Sequence, residues 1–142
     1  MAYYQSFSQL MYLIGKEVAV NRSKPGACLG KLISVQNDYL TIQRKDNSVV
    51  YYRLETIIHF SEFRRKRSPR GYKINIRVVL AYSFVQILCS FRRRILTIDH
   101  SGPEQHVGMV VNVTPSELTI VSDGKVVNLP LGKIRYVASS TS

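Results

Sequence analysis

A faint internal repeat constrains this chain more than any other feature. Aligning Gly30 with Gly108 sets two segments 78 residues apart, and Ser23 then meets Ser101, Pro25 meets Pro103 and Val35 meets Val113. Leu40-Thr41-Ile42 falls on Leu118-Thr119-Ile120. One residue is lost in the next turn; at a separation of 77, Val49-Val50 matches Val126-Val127, Leu54 matches Leu131 and Ile57 matches Ile134. A change of length inside a turn costs little. The repeat overrides the single-domain expectation that 142 residues would otherwise raise.

Each copy opens with apolar residues at helical spacing: Phe7, Leu10, Met11 and Ile14, then Leu80, Phe84, Ile87, Leu88 and Phe91. Beyond each helix the chain is punctuated like a sheet. In the first copy, residues 16–21, 29–36, 39–44, 49–54 and 57–60 are β-rich runs separated by turn residues, which predicts five short strands per copy. Asn37-Asp38, Asp46-Asn47, Thr114-Pro115-Ser116 and Asp123-Gly124 supply the turns. Gly30 and Gly108 interrupt strand-like runs, a sign of a bulge or a sharp bend.

The predicted fold is all-β with short helices: two tandem small five-stranded barrels, each preceded by an N-terminal helix. Residues 1–62 form the first module, 63–77 a basic linker and lead-in, 78–138 the second module and 139–142 a frayed terminus. A module of about 55 residues buries only about 60% of its unfolded surface, so the two should pack together or oligomerise. Tyr51 and Tyr52 are adjacent on one strand, which predicts one facing the core and the other facing away.

Composition sets the class of partner. A hydrophobic fraction of 45% and a charged fraction of 20% suit a folded chain. Twenty Lys and Arg against 9 Asp and Glu leave a net charge of +11, which favours polyanionic partners. Cys28 and Cys89 read as reduced, buried thiols, and Met1 to Ser6 lacks the pattern of a secretory signal, so an intracellular origin is expected. The most apolar stretch, residues 78–91, is broken by Ser83, Gln86 and Ser90 and is shorter than the ~20 residues of a membrane span. Nine tyrosines and no tryptophan suit both strand cores and protein interfaces.

Arg64, Arg65, Lys66, Arg67, Arg70 and Lys73, flanked by Phe63 and Tyr72, form the sharpest local feature. Like charges with Pro69 and Gly71 predict an exposed tether. Its cations could dock acidic proteins or neutralise phosphates, and Phe63 and Tyr72 could stack on bases. Arg92, Arg93 and Arg94 form a second cluster at the end of the second predicted helix, where the helix dipole favours cations. Sharing a face, the clusters would grip phosphorylated or carboxylate-rich partners through Arg. Asp99, His100, Glu104 and His106 are the one grouping of acids and imidazoles, but the first copy carries Asn21, Arg22, Gly26 and Cys28 there. With no phosphate-cradling glycine loop, paired-cysteine motif or nucleophile elbow, the chain reads as non-enzymatic, with no catalytic, cofactor or metal site.

Gly30-Lys31-Leu32-Ile33-Ser34-Val35 leading into Asn37-Asp38-Tyr39-Leu40, after a helix and within a five-strand pattern, resembles the Sm-like barrel. Leu40 stands where that family places its base-contacting Asn, and residues 54–60 hold no Arg-Gly motif, so Sm-type uridine binding does not carry over. The whole chain also resembles the repeated domain of the spore coat protein B family of endospore-forming bacteria. The family turn appears as His100-Ser101-Gly102-Pro103-Glu104 and, more degenerately, as Arg22-Ser23-Lys24-Pro25-Gly26. Asp38-Tyr39 and Val50-Tyr51-Tyr52-Arg53-Leu54-Glu55 match further family elements, where the second copy has Ser116-Glu117 and Val127-Asn128-Leu129-Pro130.

This resemblance implies a non-catalytic structural component of the spore coat, made in the mother-cell cytoplasm and assembled through contacts with other coat proteins or with itself. The family's long Ser, Lys and Arg-rich phosphorylated tail has no counterpart up to Ser142, so no tail-dependent role is expected. The alternative expectation is a cytoplasmic Sm-like nucleic-acid-binding protein using the basic linker for phosphate contacts.

Overall fold

The computed structural model describes residues 7–63, 78–100 and 105–139. The basic cluster Arg64, Arg65, Lys66, Arg67, Arg70 and Lys73 and the family turn Ser101, Gly102, Pro103 and Glu104 lie outside the described residues. Two short helices, α1 (Phe7–Tyr12) and α2 (Phe84–Ser90), accompany ten strands. These are β1 (Glu17–Val20), β2 (Cys28–Val35), β3 (Tyr39–Gln43), β4 (Val49–Arg53), β5 (Phe60–Glu62), β6 (Ile95–His100), β7 (Gln105–Val113), β8 (Glu117–Ser122), β9 (Lys125–Pro130) and β10 (Ile134–Ser139). All are antiparallel in one sheet, in the order β5-β1-β2-β3-β4-β10-β6-β7-β8-β9.

Backbone hydrogen bonds recur at the separation seen in the sequence. Gly15 N donates to Leu32 O at 2.7 Å and Arg93 N to Val110 O at 2.8 Å; Leu54 N donates to Asp38 O at 3.0 Å and Leu131 N to Ser116 O at 2.9 Å. Gly15 and Arg93 both have positive φ, 92° and 65°, a conformation easy for glycine and costly for arginine. The ladder shifts between Leu32 and Ser34 and again between Val110 and Asn112. These bulges lie just beyond Gly30 and Gly108. The glycines themselves allow close strand crossing: a Cβ on Gly30 would strike the Gln43 carbonyl, and one on Gly108 would lie 2.7 Å from the Val121 carbonyl. Asp123 and Gly124 take φ of 52° and 74°, as a tight hairpin turn between β8 and β9 requires.

Several expectations need correction. The second helix starts at Phe84, because Ser83 caps it by accepting from Gln86 N at 3.3 Å; Leu80 precedes the helix and is exposed. Residues 57–60 have the composition of a strand, but a 3-10 turn at Leu54–Thr56 delays β5 to Phe60–Glu62. Cys28 is buried, whereas Cys89 is exposed on α2. Tyr51 and Tyr52 do point to opposite faces, yet both are fully buried.

The burial of both tyrosines shows where the core sits. Strand β4 is not an edge: it pairs with β3 on one side and with β10 on the other, and both of its faces are covered. Two apolar clusters result, and each borrows from the opposite half of the chain. Tyr39, Val49 and Tyr51 pack among Phe84, Ile87, Phe91 and Val137, while Tyr136 and Ala138 pack among Leu40, Val50 and Tyr52. The β4–β10 seam is therefore part of both cores.

Candidate functional site: the β4–β10 seam and its surroundings

Beside the seam, two sets of polar side chains are each fixed by partners within their own half of the chain. Asn21, buried with φ 50°, accepts at Oδ1 from Ile58 N (2.7 Å) and His59 N (3.0 Å), and donates from Nδ2 to the Tyr52 hydroxyl at 2.8 Å. That hydroxyl donates to Gly26 O at 2.8 Å. Asp99 is the residue aligned with Asn21, and it meets the Arg135 side chain instead. Arg135 Nε donates to Asp99 Oδ2 at 2.5 Å, and its Nη2 donates to His100 O at 2.8 Å. The hydrogen bond to Asp99 raises the Arg135 pKa above its ordinary value. Side-chain exposures of 6% for Asp99 and 14% for Arg135 make this an enclosed ion pair whose loss would strand a charge.

Hydrogen bonds and ring contacts between the halves lock them together. Arg53 Nη1 donates to Leu131 O at 2.9 Å and Ile134 O at 2.8 Å, spanning the seam to cap the 3-10 turn Leu131–Lys133. The Tyr39 hydroxyl donates to Ala81 O at 2.6 Å, and Asp38 Oδ1 accepts from Phe84 N at 2.8 Å. Tyr51 stacks at a tilt on Phe91, centroids 5.7 Å apart, and Tyr52 on Tyr136 at 5.2 Å. Burial raises the pKa of Tyr39, Tyr51, Tyr52 and Tyr136, and pushes the Cys28 thiol up to about 12. A thiol held protonated is a poor nucleophile and metal ligand.

The remaining sequence candidates separate. Arg92, Arg93 and Arg94 are exposed, but helix α2 ends at Ser90 with no basic residue in its last turn. Arg92 follows the C-cap Phe91 and donates from its backbone N to Cys89 O at 3.3 Å, and the chain then turns into β6, where the backbone of Arg93 and Arg94 is bonded to Val110. Asp99 is occupied by Arg135, and His100 and His106 pack edge to face at 5.8 Å. Among the described residues no group of His, Cys, Asp and Glu could hold a metal ion, and no helix is long and apolar enough to cross a membrane.

Sequence reasoning missed Arg53, Arg135, Asn21 and Tyr136 as seam residues. A signal was present: Asp38, Tyr39, Tyr51, Tyr52 and Arg53 are where the first copy differs from Ser116, Glu117, Asn128, Leu129 and Pro130 of the second. A groove of about 520 Å³ lies between α1 and β5, lined by Ser8, Gln9, Tyr12, Leu13, Phe60 and Glu62.

The family described as Domain of unknown function (DUF2642) matches residues 3–61. Spore coat protein B of Bacillus subtilis (strain 168) is 24% identical over 127 residues, which are 86% of this chain and 32% of that protein. The chain is thus a distant homologue of a spore coat protein and spans about a third of that relative's length.

Proposed function

We propose that the chain is a non-catalytic structural component of the bacterial spore coat, synthesised in the mother-cell cytoplasm and assembled through protein contacts. The observation that carries this reading is the likeness to spore coat protein B over 86% of the chain. The architecture supports it: Arg53, Asp38, Tyr39, Tyr51 and Tyr52 at the seam are engaged in contacts that join the two halves of the chain. In this reading the sheet comprises two Sm-like five-stranded modules, residues 1–62 and 78–138, tied by the basic segment 63–77. The recurring hydrogen bonds and bulges support that division. The protein should accumulate only during sporulation and stay with purified spores through high-salt washes. Accumulation in growing cells, or release from spores by salt alone, would refute the proposal.

A second reading is favoured by one observation, the exposure of Arg92, Arg93 and Arg94 on a turn held by backbone bonds. Together with the basic cluster at residues 64–73 they could engage nucleic-acid phosphates. Affinity for RNA or DNA would then fall steeply with salt and drop on replacing Arg64, Arg65, Lys66 and Arg67 by alanine. Affinity unchanged by that substitution rules this reading out.

A further inference from the structure

Resting on the two-module reading, we infer that the chain associates head to tail with a second copy of itself, β9 of one molecule pairing with β5 of the next and Asn128 entering the groove beside α1. The internal seam is the template. There β4 pairs with β10 in the register Val49↔Ser139, Val50↔Ala138, Tyr51↔Val137 and Tyr52↔Tyr136. The sequence repeat places β9 on β4 and β5 on β10. Among the described residues β5 pairs only with β1 and β9 only with β8, so the sheet ends on one strand of each kind. Transferring the register sets Val126 opposite Glu62, Val127 opposite Ser61 and Asn128 opposite Phe60.

The groove is what the internal seam would look like with its plug removed. Tyr51 fills the space beside Phe91, Ile87 and Val137, and its hydroxyl interacts with Ser139. The aligned residues Leu13, Gln9, Phe60 and Glu62 all line the groove. Both sides have changed character together. Where the internal seam sets Tyr51 against Ile87 and Ser139, the outer one sets Asn128 against Gln9 and Glu62. An amide matched to an amide and a carboxylate is complementary, and this paired change points to a second copy as the occupant. The Asn128 carbonyl accepts from the Thr119 hydroxyl at 2.7 Å, so the contact would draw on its amide N–H groups. Val126, 69% exposed on β9, gains cover in the contact. Because the two joined surfaces differ, the contact repeats into rings or filaments and does not stop at a symmetric dimer.

Directly opposed residues of antiparallel strands have Cα atoms about 4.5–5.5 Å apart, within disulfide range. In a full-length chain carrying Cys89→Ser, Val126→Cys molecules mixed with Glu62→Cys molecules should cross-link at least about fivefold faster than either does alone. Sedimentation of the unmodified chain should show species that grow with concentration. Val126→Glu should weaken this association about fivefold by facing Glu62, and adding Glu62→Lys should restore it. A chain with Val49→Cys and Ser139→Cys, bridged within one molecule, checks the template. If that bridge forms while the mixed chains stay uncross-linked and monomeric, the head-to-tail contact is wrong and the two-module reading stands. If neither forms, the register itself fails and both fall.

Discussion

Thr41 shows how finely the seam is tuned. Its hydroxyl is fully buried opposite Tyr51 and has no hydrogen-bond partner, whereas the aligned Thr119 donates to Asn128. A buried hydroxyl without a partner costs stability, so Thr41→Val should stabilise the protein by about 1 kcal/mol in urea denaturation. Asp99 is the opposite case. Asp99→Ala removes the carboxylate from a mostly enclosed Arg135 guanidinium and should cost about 3 kcal/mol, measured the same way. A loss below about 0.5 kcal/mol would show the pair to be as dispensable as an exposed one.

Strand β4 completes two cores at once, Val49 and Tyr51 in one and Val50 and Tyr52 in the other. Tyr51→Ala should open a cavity beside Phe91 and cost about 3–5 kcal/mol, while Val126→Ala on the exposed strand β9 should change stability by less than about 0.5 kcal/mol. Thermal or chemical unfolding of the two variants tests this. Strand identity was legible in the sequence because turn residues and β-branched runs are local signals, and the glycine-marked crossings at Gly30 and Gly108 were legible as well. The seam was not. Whether Tyr51 faces solvent or a second core depends on which strand lies beside β4, and β10 begins at Ile134, far along the chain and beyond the reach of any periodicity argument. Helical spacing alone carries α2 back to Leu80, while the cap at Ser83 and the Asp38 carboxylate fix its true start. The basic cluster and the family turn lie outside the described residues, so their roles rest on sequence alone.

Across the whole molecule, burial of acidic hydrogens makes stability sensitive to alkali. An unfolded chain releases the Cys28 proton near 9.0 and tyrosine protons near 10.0, while the folded chain holds them to higher pH. Between those values the folded state binds more protons, so stability is fully present below about pH 9 and falls as pH rises through 9.0 and 10.0 towards the folded values. Denaturation midpoints followed by circular dichroism from neutral to alkaline pH should decline over that window; a flat profile would mean that the phenols are solvated. The functional claim is best tested by following a fluorescent fusion of the full chain through growth and sporulation in its native host. A ring of signal around the developing spore is the result predicted here, and a diffuse or nucleoid-associated signal in growing cells would contradict it.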